Sequence, residues 1–165
     1  MAGRGRVPSR MSEKFVDESI TSLRLDYRYP NDVFECTFGR SCWCRLFEER
    51  RTSTGGGCGA FFWWRCGIAA GANSSHIKGV VGLPSDIWAG MAPQLAPRRL
   101  LVVHGKADTR LTFACGQQIY DMAKEPKELV LYEGAEHRLE ECRDDLEDLL
   151  GNWIPETLAA DIKLV

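Results

Sequence analysis

LLVVHGKADTRLTFACGQQIYDMAKEPKELVLYEGAEH, residues 100–137, reads as strand, turn, helix, strand and a glycine-led loop that ends in histidine. Leu100, Leu101, Val102 and Val103 form a short apolar run suited to a strand buried on both faces, and His104-Gly105 breaks it just before Asp108. Asp108 therefore sits just past the carboxyl end of a strand. A helix over 112–123 follows, then a strand over 128–132, and the loop Glu133-Gly134-Ala135-Glu136 delivers His137. Two neighbouring parallel strands bring both loops to one edge of a sheet, so the segment offers an acid and a base without their nucleophile. An aspartate after a strand is also a common turn or N-cap residue, and a histidine in such a loop is commonly just solvated. It is their separation on one strand, helix, strand framework that makes them a candidate pair. His104 reads as structural, packing under the loop, and His76 as a surface residue before a strand over 77–83.

The order aspartate then histidine, at the ends of successive strands, resembles the C-terminal third of an α/β-hydrolase, where the chain order is nucleophile, acid, base. The resemblance is carried by HGKAD (104–108), KELVLYEGAEH (127–137) and a closing helix that ends at Asn152-Trp153-Ile154. It implies an α/β fold, a three-layer α/β/α sandwich with a mainly parallel sheet, incomplete at the N-terminus and disturbed in the middle. The partial domain would occupy residues 11–154, after a disordered or altered stretch 1–10 and before a tail 155–165 without clear assignment. By the same resemblance Asp108 orients the imidazole of His137, which takes a proton from a nucleophilic hydroxyl during hydrolysis of a carboxylic ester or related acyl bond. The implied partner is a small-molecule acyl substrate, and no cofactor is called for.

At 165 residues and net charge −2, the chain makes one domain at most and has no basic surplus to attract nucleic acid or an anionic membrane. No apolar run is long enough to span a bilayer, and MAGRGRVPSR has no apolar stretch behind its charges. A cytoplasmic or organellar-matrix protein is expected; the oligomeric state stays open. Seven cysteines invite a search for metal ligands. Cys42 and Cys44 are separated by one residue, Cys58 and Cys66 stand alone, and no histidine lies near either pair, which argues against a zinc site. Three glycines at 55–57 are followed by no Lys-Ser/Thr at phosphate-loop spacing.

Upstream, residues 11–18 read as a short helix that Ser12 can cap, and 20–25 alternate as a strand does. A proline-broken loop then leads to a helix start near Glu35. Order returns from Ala69, with the strand over 77–83, a loop over 84–90 and a proline-bounded approach to Leu100. The acidic segment 136–148 reads as the solvated face of an amphipathic helix packed on the sheet.

Between these parts stands SCWCRLFEERRTSTGGGCGAFFWWRCG, which fits neither helical nor strand templates. Four of the seven cysteines and three of the five tryptophans fall between Gly39 and Gly67. In the family resembled, this interval holds a helix, a buried strand and the tight G-x-S-x-G elbow that presents the nucleophile. The genetic code offers an explanation when each codon's last two bases are read with the first base of the next. Trp63 and Trp64 have a single codon, so the shifted frame is forced to Gly-Gly there, and Gly59 to Trp64 can encode Gly-His-Ser-Phe-Gly-Gly with serine in the place of Phe61. The run 54–58 can become Leu-Val-Val-Val-Val, a buried strand, and 39–49 can become Asp-Val-Leu-Ala-Gly-Val-Ala-Phe-Leu-Lys-Asn, an amphipathic helix.

The expectation is therefore a segment from about Gly39 to about Gly67 translated out of frame, leaving a hydrolase relative without its nucleophile. Taken literally, the same segment offers Cys58: Gly56-Gly57-Cys58-Gly59-Ala60 resembles the G-x-C-x-G elbow of dienelactone hydrolases, with Ala60 in place of the last glycine. Three glycines make a poor buried strand ahead of it, and the aromatics 61–64 a poor helix start behind it. A degenerate, non-catalytic hydrolase-fold protein is the remaining alternative. Sequencing the transcript is expected to show compensating insertions or deletions flanking the codons for 39–67; an unbroken frame matching the present text would sink the frame reading.

Overall fold

The computed structural model describes residues 7–22, 64–73, 77–82 and 90–160. At its centre is β2 (Arg99–Gly105), paired in parallel with β1 (Gly79–Gly82) on one side and β3 (Lys127–Tyr132) on the other. The period of two along β2 decides the layering. Leu100 and Val102, with Val80 of β1, point to one face. There they meet Ile68 of α2 (Trp64–Asn73), Ala92 in a 3-10 turn (Ala92–Gln94), Leu95 and Ile119 of α3 (Ala114–Met122). Leu101 and Val103, with Val81, point to the other face. Met11 and Phe15 of α1 (Val7–Asp17) cover them, with Leu146, Leu150, Trp153 and Ile154 of α4 (Arg143–Ala159). Helices on both faces of a parallel sheet make an α/β/α sandwich, and each fully buried Leu or Val adds about 1.5–3 kcal/mol.

Several boundaries differ from the sequence expectation, each for a local reason. β2 runs on through His104 and Gly105 instead of ending before them, because both keep their pairing with Leu131 and Tyr132 of β3. β1 is limited to four residues, with Ile77 and Lys78 outside it. Helix α1 starts at Val7, within the stretch expected to be disordered. Pro8 suits a first turn, where its missing N–H costs nothing. Residues 20–22 are not strand. Instead Ser19, at φ 58°, closes α1: its N–H donates to the Val16 carbonyl at 3.0 Å, and the Ile20 N–H donates to the Phe15 carbonyl at 2.9 Å. That is a Schellman ending with serine where glycine is usual, and so it left no sequence signal.

Helix α2 begins at Trp64, inside the stretch that matched no template. At the other end of the chain, residues 136–142 form no helix; α4 begins at Arg143, with Asp144 and Asp145 in its first turn where the helix dipole favours them. It then continues past Asn152-Trp153-Ile154 and Pro155 to Ala159. Lys78, just ahead of β1, donates from Nζ to the Leu158 and Ala160 carbonyls at 2.7 and 2.8 Å, capping carbonyls that a helix end leaves unpaired. Cys58, Phe61, His76 and nearly all of 39–67, with the readings of 23–25 and 83–89, lie outside the described residues.

One glycine sets the approach of the site's two loops. A Cβ on Gly105 would overlap the Ala135 backbone carbonyl and come within 2.9 Å of the Glu136 carbonyl oxygen. Backbone cannot yield as a side-chain tip can. Gly105→Ala is expected to cost about 1–3 kcal/mol, by analogy with overpacking elsewhere, measured as a lower urea midpoint at unchanged m-value.

Candidate acid–base site

The turn after β2 is tied to the end of β3 and to the loop beyond it. Lys106 N–H donates to the Tyr132 carbonyl at 2.9 Å, Ala107 N–H to the Ala135 carbonyl at 3.1 Å, and Asp108 N–H to the Gly105 carbonyl at 3.3 Å. The Asp108 carboxylate is thereby held under the loop, with only 1% of its side chain exposed. Its Oδ1 accepts the N–H groups of Arg110 and Leu111 at 2.8 and 2.9 Å. Its Oδ2 lies 2.8 Å from His137 Nδ1 and 3.0 Å from His104 Nε2. A carboxylate offers about four lone-pair sites, and here each oxygen faces two partners.

Burial by itself pushes the Asp108 carboxyl up. The Leu111 N–H, His137 and the Arg110 N–H outweigh it and hold the group at about 2, against an ordinary 3.8. An ionised Oδ2 can only accept, so His137 Nδ1 carries the proton and its Nε2 is left with a lone pair. With 28% of the His137 side chain exposed, that ring is reachable from outside.

The loop carrying His137 has its own supports. Gly134 adopts φ 69°, a conformation glycine takes without a Cβ penalty. Leu139, also at positive φ, donates its N–H to the Glu136 carbonyl at 2.9 Å and buries its side chain in the α1/α4 layer. Glu136 Oε2 accepts both the N–H and the hydroxyl of Thr109, at 3.1 and 3.0 Å, linking the base loop to the acid loop. These bonds, the Thr109 N–H first, hold the Glu136 carboxyl below its usual range. Glu141 in turn accepts the Glu136 N–H at 3.1 Å. A depression of about 200 Å³ beside His137 is lined by the charged side chains of Arg110, Glu136, Arg138, Glu140 and Glu141.

The structure thus brings Asp108 and His137 together, while Cys58 is not among the described residues. It also adds what the sequence reading missed. His104, read as packing, touches the acid, and Thr109 and Glu136 lock the two loops. The spacing His104-x-x-x-Asp108 at a strand end was the available signal. Cys142 is no substitute nucleophile: burial pushes its thiol up, and its Sγ faces the Leu139 carbonyl at 3.7 Å. Among the described residues, no group of three His, Cys, Asp or Glu side chains could hold a metal ion, and no helix is long and apolar enough to cross a membrane.

No protein-family model matches the sequence, and no curated protein matches it. Solved structures do resemble the fold. An esterase domain from Rhodothermus marinus aligns with a TM-score of 0.68 at 14% identity, over 93% of this chain and 81% of that one. A putative α/β hydrolase from Agrobacterium tumefaciens gives 0.72 at 15%, over 94% and 78%. A dienelactone hydrolase from Anabaena variabilis gives 0.68 at 17%, over 94% and 81%. At such identities the likeness speaks to architecture, and the chain has the α/β-hydrolase fold.

The depressed Asp108 carboxyl has a consequence for stability. A carboxyl whose folded value lies below its unfolded one stabilises the fold above the unfolded value, and that contribution is lost as pH falls through the folded one. Asp108 should therefore contribute about 2 kcal/mol at neutral pH, disappearing between about pH 4 and pH 2. Asp108→Asn is expected to lower stability at pH 7 by about that amount and to flatten the acid limb of a urea-midpoint series; an unchanged limb would refute the assignment.

Proposed function

We propose that Asp108 and His137 are the acid and base of an acyl-hydrolase triad whose nucleophile was lost from residues 39–67 by a change of reading frame. The chain as written is then an inactive relative of enzymes that hydrolyse carboxylic esters. The observation that carries this reading is the 2.8 Å contact between His137 Nδ1 and Asp108 Oδ2, which leaves Nε2 free to take a proton. In such a triad Nε2 removes the proton of a nucleophilic hydroxyl as it attacks the ester carbonyl, and then delivers it to the leaving alkoxide. Asp108 keeps the proton on Nδ1 and stabilises the imidazolium between the two steps.

The position of α2 supports the frame reading. A nucleophile elbow is a sharp turn from strand to helix, and α2 starts at Trp64, just after the Phe61 position that the shifted frame turns into serine. Two of the structural neighbours are described as an esterase domain and a dienelactone hydrolase, which favours ester-type substrates. The literal alternative, Cys58 as nucleophile, has in its favour the Gly-Gly-Cys-Gly-Ala text and the likeness to a dienelactone hydrolase.

Short-chain p-nitrophenyl esters test the proposal on two proteins: the chain as written and a version with the 39–67 frame restored. The first is expected to give no turnover. The second is expected to hydrolyse the esters and to lose about 10³-fold or more in kcat on His137→Ala, the scale seen when a triad member is removed. Turnover by the chain as written that thiol alkylation abolishes would transfer the nucleophile to Cys58. Hydrolysis indifferent to His137→Ala would overturn the acid–base assignment.

A further inference from the structure

His104 does more than fill space beneath the turn. It lies near the carboxyl end of β2 with 2% of its side chain exposed, and its Nε2 is 3.0 Å from Asp108 Oδ2 and 3.0 Å from the Leu111 carbonyl oxygen. Both of those atoms accept and neither donates. The Nε2 atom must therefore carry the proton, shared between the two oxygens, and the ring has one tautomer. Its other nitrogen, Nδ1, is buried and has no hydrogen-bond partner among the described residues.

That orphaned nitrogen is informative. A residue needed only for packing would do better as an apolar side chain of similar size, since an unsatisfied buried polar atom costs about 1–3 kcal/mol. The cost of Nδ1 is accepted together with the bond from Nε2. That bond fills the fourth site on the Asp108 carboxylate, beside the Arg110 and Leu111 N–H groups on Oδ1 and His137 on Oδ2. With three donors the Oδ2 end would be held only by His137, on the loop beyond the next strand. With four, the carboxylate plane is anchored at both oxygens to backbone and to the sheet.

We infer that His104 is a positioning residue for the Asp108–His137 pair: its Nε2–H clamps Oδ2 so that the carboxylate meets His137 Nδ1 in one geometry. This rests on the reading of Asp108 and His137 as acid and base, and it adds a second histidine on the acid's far side. The clamp is built from β2 itself, so the orientation of the acid is set by the sheet and not by the loop that bears the base.

Imidazole NMR on the 15N-labelled full chain, which requires no turnover, tests the inference. In the wild-type chain, long-range 15N–1H correlations are expected to show His104 protonated on Nε2, and His137 to give a low-field Nδ1–H resonance of a carboxylate-bound imidazole. His104→Gln, whose amide N–H can reach where Nε2 lies, should keep the His137 resonance. His104→Met, similar in bulk but without a donor, should lose it to solvent exchange while the far-UV circular dichroism stays native. Retention of the resonance in a folded His104→Met chain overturns the positioning role. Should that variant not fold, protonation of His104 on Nδ1 in the wild-type chain overturns it equally. Absence of the His137 resonance from the wild-type chain overturns the acid–base pair itself, a failure distinct from that of His104 alone.

Discussion

Parallel pairing of β2 with β3 is the constraint from which the site follows. The two strands finish level, Gly105 opposite Tyr132, so the turns that leave them emerge side by side at one edge of the sheet. Backbone bonds from Lys106 and Ala107 to Tyr132 and Ala135 then continue the contact past the last paired residues. This is possible only because residue 105 has no side chain to occupy the place of the Ala135 carbonyl. Asp108 and His137, 29 positions apart, are within hydrogen-bond distance as a result.

A buried carboxylate at that edge would be a liability without compensation, since taking an isolated charge out of water costs several kcal/mol. Asp108 avoids the cost by being saturated. Two donors come from its own turn, one from the strand that precedes it and one from the loop beyond the next strand. Burial and bonding therefore act in opposite directions on the same group, and bonding wins. What remains exposed is part of the His137 ring, with 28% of its side chain reached by solvent against 1% for Asp108. The Thr109–Glu136 contact adds a second link between the loops, outside the buried cluster.

The opposite edge of the sheet is organised differently. Arg99 stacks 5.0 Å over the Trp153 ring and pairs with Glu128 and Glu156, while the Trp153 N–H donates to Glu128. These groups are partly solvated and contribute modestly. They serve to register α4 against the start of β2 and β3. Lys78 does the same for the last turn of α4, which explains how the helix passes Pro155 and outruns its sequence signal. Both edges thus use polar contacts to orient elements that the apolar layers hold together.

Patterning along residues 100–137 determined a great deal by itself. A run such as Leu100 to Val103 can bury both faces only between helices, and Gly134 and the spacing to His137 were legible as turn chemistry, whereas His104-Gly105, read as the break, are the last paired residues of the strand. Asp108 and His137 were visible for the same reason: they stand where strands end. Helix endings were not legible, because Ser19 and Lys78 act through backbone conformation and through a cation brought in from another element. Nor was the role of His104, since sequence reveals that a histidine follows a strand but not which oxygen its nitrogen meets. The sequence alone thus determined the layers and singled out Asp108 and His137; only the tertiary structure decided that four donors converge on one carboxylate. Local pattern is written in neighbouring residues, whereas hydrogen-bond saturation depends on groups that come together only when the sheet has formed.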